Sequence, residues 1–90
     1  MDKAIIVLDE WKTVKKAKTG ILIILDILKK KNTYMDIRHL KDYIFMVTGE
    51  SFSIDIFMKA IEDLLISDNI RAVILSKNTI VLYRQSPFKL

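Results

Sequence analysis

His39 is the only histidine and there is no cysteine, so any chemistry in this chain starts from carboxylates, lysines and hydroxyls. A metal centre needs several imidazole, thiolate or carboxylate ligands at set spacings. No such spacing surrounds His39, which reads as a solvated or partly packed histidine. Glu62 and Asp63 are adjacent carboxylates, but neighbours on a helix point about 100° apart and do not share a proton. Gly20 and Gly49 are the only glycines, which leaves no glycine-rich phosphate loop. Nothing assembles a nucleophile, a base and an orienting group. The expectation is a protein that is not an enzyme and holds no cofactor or metal.

Charge says more. The net charge is +4, and it is unevenly spread. Residues 1–33 carry eight lysines and four acids, residues 34–69 carry three bases and seven acids, and residues 70–90 carry four bases and no acid. The basic charge therefore sits in the flanks, around an acidic middle. Lys12, Lys15, Lys16 and Lys18 form one dense group, Lys29, Lys30 and Lys31 a second. Lysines in such groups suit sequence-independent phosphate contact, whose hallmark is steep salt dependence. They equally keep an apolar surface soluble. Few aromatics lie beside them, which argues against stacking on single-stranded nucleic acid.

Ninety residues, 51% of them hydrophobic, suit a single domain that hides roughly 60–65% of its unfolded surface. Without cysteine there is no disulfide framework. The longest apolar run, Ile21 to Leu25, is far short of the roughly 18 residues a membrane span needs. MDKAIIVLDEW is too short in its apolar part for a signal-peptide core. These readings predict a soluble intracellular protein, cytoplasmic or nucleoid-associated, with no membrane contact.

Periodicity predicts four helical segments and a hairpin. Residues 2–16 place Ala4, Ile5, Leu8, Trp11 and Val14 on one stripe. Residues 19–31 are apolar nearly all round, as befits a central helix, with Thr19 as cap and Asn32 as a left-handed stop. Asp36 caps the next helix and Gly49 ends it, with Ile37, Leu40, Ile44 and Val47 inward. The last helix opens at Ser53 and ends at Asp68-Asn69, with Ile54, Phe57, Met58, Ile61, Leu64 and Leu65 inward. In IRAVILSKNTIVLYR a two-residue turn at Lys77-Asn78, with Asn78 at positive φ, pairs Ser76 with Thr79, Leu75 with Ile80, Val73 with Leu82 and Arg71 with Arg84. That register puts Val73, Leu75, Ile80 and Leu82 on one face and Ala72, Ile74, Val81 and Tyr83 on the other. The tail QSPFKL reads as extended around Pro87.

The order of ILIILDIL, an extended Tyr34-Met35 link, DIRHLKDYIFMVTG, SIDIFMKAIEDLLISDNI and RAVILSKNTIVLYR resembles the winged helix-turn-helix superfamily over residues 19–84. The step from LLISDNI straight into a strand is its most specific feature. Residues 2–16 are an extra N-terminal helix, a place where relatives in that superfamily often dimerise. The resemblance implies a mainly α fold with a small β-hairpin. It also implies duplex DNA as partner, with the residue 53–69 helix in the major groove and the wing at the backbone.

That helix reads poorly as a base reader. Its predicted outward residues are Asp55, Ile56, Lys59, Glu62, Asp63 and Ile66, with Lys59 spaced to pair with both Asp55 and Asp63. A groove-reading helix needs Arg, Lys, Asn or Gln at the bases. The leading expectation is thus a non-enzymatic protein of the transcription or replication apparatus. It would meet duplex DNA through Lys12, Lys15, Lys16, Lys18, Arg71, Lys77 and Arg84, with little base readout. The alternative is a protein-interaction module, an accessory or bridging subunit or a homodimer. It would use Asp55, Ile56, Lys59, Asp63 and Tyr83, with Phe45, Met46, Phe88 and Leu90 as further apolar groups, and bind little DNA.

Overall fold

A computed structural model describes the backbone of residues 2–85 and the side chains of residues 11–85. The expected stripe at Ala4, Ile5 and Leu8 and the tail with Phe88 and Leu90 lie outside the described residues. Three helices precede one hairpin: α1, Asp2–Lys30; α2, Ile37–Thr48; α3, Ile54–Ile66; β1, Ile70–Ser76; and β2, Thr79–Arg84. The fold is mainly helical with a two-stranded antiparallel sheet.

The expected boundary between residues 16 and 19 does not exist: α1 is one helix of 29 residues. At about 1.5 Å per residue it is roughly 43 Å long, and it sets the molecule's 46 Å long dimension. The reason is a buried stripe that runs through the expected break. Val14, Ala17, Ile21, Ile24, Leu25 and Leu28 are all buried, at three- and four-residue steps that keep one helix face inward. Against that, the expected cap at Thr19 is a weak signal. The Thr19 hydroxyl caps nothing and donates to the Lys15 carbonyl at 3.1 Å. Gly20 lets α2 come close: a Cβ there would stand 3.2 Å from Ile44 Cγ2.

Helix ends follow local chemistry more faithfully. Asn32, with φ of 58°, stops α1, and the Thr33 amide donates to the Leu28 carbonyl at 3.0 Å. Asp36 caps α2, and Gly49, at φ of 74°, ends it with its amide on the Phe45 carbonyl. Ser53 caps α3, its Oγ accepting from the Ile56 amide at 3.2 Å. Asp68, at φ of 63°, turns the chain out of α3, and the Asn69 amide donates to the Leu64 carbonyl at 2.9 Å.

One core holds these elements. Leu40 and Ile44 of α2, Phe57, Ala60, Ile61 and Leu64 of α3, Phe52 from the intervening turn, Ile70 and Leu82 gather on the buried face of α1. The link before α2 makes a single antiparallel bridge, Asp36 to Val81, so β2 lies between that link and β1.

The hairpin register differs from expectation by one residue. A bulge between Ile74 and Ser76 pairs Ile74 with Ile80, Val73 with Val81, Ala72 with Leu82 and Arg71 with Tyr83. A one-residue slip exchanges the faces of a strand. Leu82 thus shares a face with Ala72 and not Val73, and Arg71 is not opposite Arg84. Asn78 does not take positive φ; among the described non-glycine residues only Asn32 and Asp68 do. Its amide donates to Ser76 Oγ at 3.4 Å. No described helix is long and apolar enough to cross a membrane.

Candidate functional site

The face of α3 turned away from the core is the most distinctive surface. Phe57, Ala60, Ile61 and Leu64 are its buried side, at the i, i+3, i+4, i+7 spacing of one helix face. This rotates α3 from the expected arrangement. Ile54, Met58 and Leu65 are not inward: Ile54 is 60% exposed and Met58 48%. Ile66 is 77% exposed. Together with Asp55, Lys59 and Glu62, also exposed, they make an outer face of four large apolar residues, two acids and one base. Val47 of α2 is likewise exposed and not part of a buried stripe, beside the exposed Phe45 and Met46.

The expected partner-contact residues divide. Asp55 and Lys59 lie on this outer face. Ile56 is half-buried and packs against the core. Asp63 is half-buried and pairs with Lys18, Nζ to Oδ2 at 3.4 Å, not with Lys59. Tyr83 lies elsewhere, lining a cavity of about 90 Å³ with Leu25, Leu28, Tyr34 and Arg84.

The expected nucleic-acid contacts also divide. Lys18 is held by Asp63. Arg84 Nη1 lies 3.5 Å from Asp26 Oδ2. Arg71 donates from Nε to Gln85 Oε1 at 3.1 Å, and its Nη2 is 3.5 Å from Asp68 Oδ1. Arg71 and Arg84 are not opposite one another in the sheet, and each guanidinium has its own carboxylate. Lys15 Nζ stands 5.4 Å from the centroid of the Trp11 ring, a cation–π contact on the surface. Trp11 is thus exposed, not core. Lys12, Lys16 and Lys77 are exposed and make no ion pair among the described residues. Surface pairs are worth about 0–1 kcal/mol, so a phosphate could displace an acid from any of these cations. Their pairing reduces the positive field without removing it.

Asp36 and Arg38 form the tightest polar cluster. Asp36 Oδ1 accepts from the Arg38 amide at 2.8 Å and from Arg38 Nε at 3.0 Å, while Oδ2 accepts from Nη2 at 3.3 Å. These Arg38 hydrogen bonds hold the Asp36 carboxyl below the usual aspartate range and push the guanidinium up. A carboxyl lowered on folding stabilises above its unfolded value, and that contribution is lost as pH falls through the folded one. The wild type should therefore lose more urea resistance below about pH 4 than Asp36→Asn, which keeps a capping oxygen but no charge. Urea midpoints from pH 6 to pH 3 test this; parallel curves for both proteins would remove Asp36 as a source of acid sensitivity.

Sequence reasoning placed Ile66 outward and Ile74 on an apolar hairpin face, but set Ile54, Met58 and Leu65 of α3 inward and Val73 and Leu75 of β1 on the packed face. The available signal was excess: more apolar positions on α3 than one helix face can bury. Among the described residues no group of three or more His, Asp or Glu stands close enough to hold a metal ion. No protein-family model, curated protein or solved structure matches the chain.

Proposed function

We propose that the chain is a non-enzymatic protein of winged helix-turn-helix design whose third helix has become a protein-docking surface. The fold reading draws support from the helix order, the left-handed turn at Gly49 and the bridge from Asp36 to the hairpin. The docking reading is carried by one observation: the exposed face of α3 is apolar and acidic, with Ile54, Met58, Leu65 and Ile66 beside Asp55 and Glu62. Acids there repel phosphates, and four apolar groups gain nothing from a polar groove edge. A partner segment with apolar anchors flanked by Lys or Arg fits that face. The role is that of an accessory or bridging subunit in a nucleic-acid-processing complex.

Met58→Asp tests it. Met58 is exposed, so the substitution should leave the circular dichroism spectrum and urea midpoint unchanged while a captured partner is lost. Capture at wild-type strength would remove α3 as the docking face. Ile56→Asp is the wrong variant, because Ile56 packs on the core and its loss would confuse folding with binding.

A second reading, duplex DNA bound through phosphates, is favoured by Lys12, Lys15 and Lys16, three exposed lysines on one helix with no acid partner among the described residues. Fluorescence anisotropy on an arbitrary duplex across a salt series separates the two. Docking through α3 expects binding weaker than about 100 µM at physiological salt. Tighter binding that falls steeply with salt and is lost on changing Lys12, Lys15 and Lys16 to Ala would establish DNA as the partner.

A further inference from the structure

We infer that the outer edge of β1 pairs antiparallel with β1 of a second copy of this chain, joining two hairpins into one four-stranded sheet. The inference stands apart from the reading of α3. In the sheet, β2 is bonded to β1 on one side and meets Asp36 on the other, so β1 is the open edge. Among the described residues, no backbone hydrogen bond outside the hairpin engages Ile70 to Ser76. Alternate residues of an edge strand direct N–H and C=O groups outward, a ready template for another strand.

The strand lacks the usual defences of an open edge. It contains no proline and a single charge, Arg71, at its start, already engaged by Gln85 and Asp68. After Ile70 it is exposed throughout, with Ile74 at 73% and Leu75 at 63%. Val73 and Ile74 point to opposite faces, so a neighbouring strand would cover apolar groups on both. The bulge beyond Ile74 raises local twist and ends the regular edge there.

Charge selects the occupant and its direction. Asp68 lies at the base of the strand and Lys77 beyond its tip. Antiparallel pairing of two identical strands keeps the two Arg71 and the two Lys77 side chains apart and carries Lys77 of each copy towards Asp68 of the other. Centred on Val73, it sets Val73 against its own copy and Ala72 against Ile74, with Lys77, beyond the bulge, on the side of the other copy's Asp68. Parallel pairing would stack Lys77 on Lys77 and Arg71 on Arg71, which like charges oppose. Such a contact is isologous and closes on itself, so it yields a dimer and not a filament. One strand pair with few side chains is a small interface, for which dissociation at about 10–100 µM is expected.

Sedimentation equilibrium of the full chain from about 5 to 500 µM tests this. A reversible dimer is expected; Val73→Lys should raise its dissociation constant about tenfold or more, and Met58→Asp should not change it. Because the chain has no cysteine, Val73→Cys supplies a readout that does not depend on the lysine variant folding. A short thiol-to-thiol cross-linker should trap Val73→Cys dimers and leave Lys77→Cys monomeric. A chain that stays monomeric throughout, or a dimer that Val73→Lys leaves intact with both cysteine variants cross-linking equally, overturns the proposal.

Discussion

Phe57→Ala is expected to cost about 3–5 kcal/mol of folding stability, while Met58→Ala, one residue on, should stay within about 1 kcal/mol. Phe57 is 1% exposed and among the largest fully buried side chains. It belongs to the core cluster, on the helix that packs most extensively against α1, so truncation loses both its transfer free energy and the contacts around the void. A domain of this size has about 5–15 kcal/mol to lose. The melting temperature should therefore fall by about 15 °C or more, and the urea midpoint should drop with its slope unchanged. The contrast with Met58 makes the experiment more than a core measurement. It fixes the rotation of α3 about its axis, and that rotation decides which residues a partner can meet. Equal costs at the two positions would turn Met58 inward and remove the apolar docking face with it.

That rotation was only partly legible in the sequence. Ser53 and Asp36 as caps, and Gly49 and Asn32 as left-handed stops, could be read directly, because capping depends on a few adjacent atoms. The inward face of α3 could not. Ile54, Phe57, Met58, Ile61, Leu64 and Leu65 all fit a helical stripe, yet they span more of the circumference than one neighbouring face can cover. Which of them face out is decided by the packing of α3 on α1, a long-range fact that periodicity along one segment does not contain.

The other two departures have the same origin. Thr19-Gly20 resembles a helix start only if Val14, Ala17, Ile21 and Ile24 are overlooked as one continuous stripe. Read together they predict one helix, since a buried stripe outweighs a cap worth about 1 kcal/mol. The hairpin turn was placed correctly at Lys77-Asn78, but the bulge at Leu75 has no glycine or proline to announce it. One extra residue moved every side chain of β1 to the opposite face. Of the candidate contacts on α1, Lys12, Lys15 and Lys16 are exposed and Lys18 is half-buried. The carboxylates that hold Lys18 and Arg84 come from other elements, so no local spacing revealed them, whereas Asp68 stands only three residues before Arg71.

Gly20→Leu should lower stability by about 3 kcal/mol, although helix propensity alone favours leucine over glycine by about 1 kcal/mol. The two effects oppose one another, and geometry decides between them. Gly20 is buried in the middle of α1, and even a bare Cβ would stand 3.2 Å from Ile44 Cγ2. Ile44 itself is fully buried, so it has little freedom to withdraw, and the three further carbons of leucine must push α2 off α1. Gly20→Ala is the informative intermediate. Its single methyl asks Ile44 to move a few tenths of an ångström, which sets about 1 kcal/mol of propensity gain against a comparable packing cost. The decisive measurement is a double-mutant cycle by urea unfolding. Ile44→Ala alone should cost about 2–5 kcal/mol, yet placed with Gly20→Leu it should restore at least about 1 kcal/mol relative to simple addition, because each substitution makes room for or fills the other. Strict additivity would mean that the close approach of the two helices is not what glycine is there to permit.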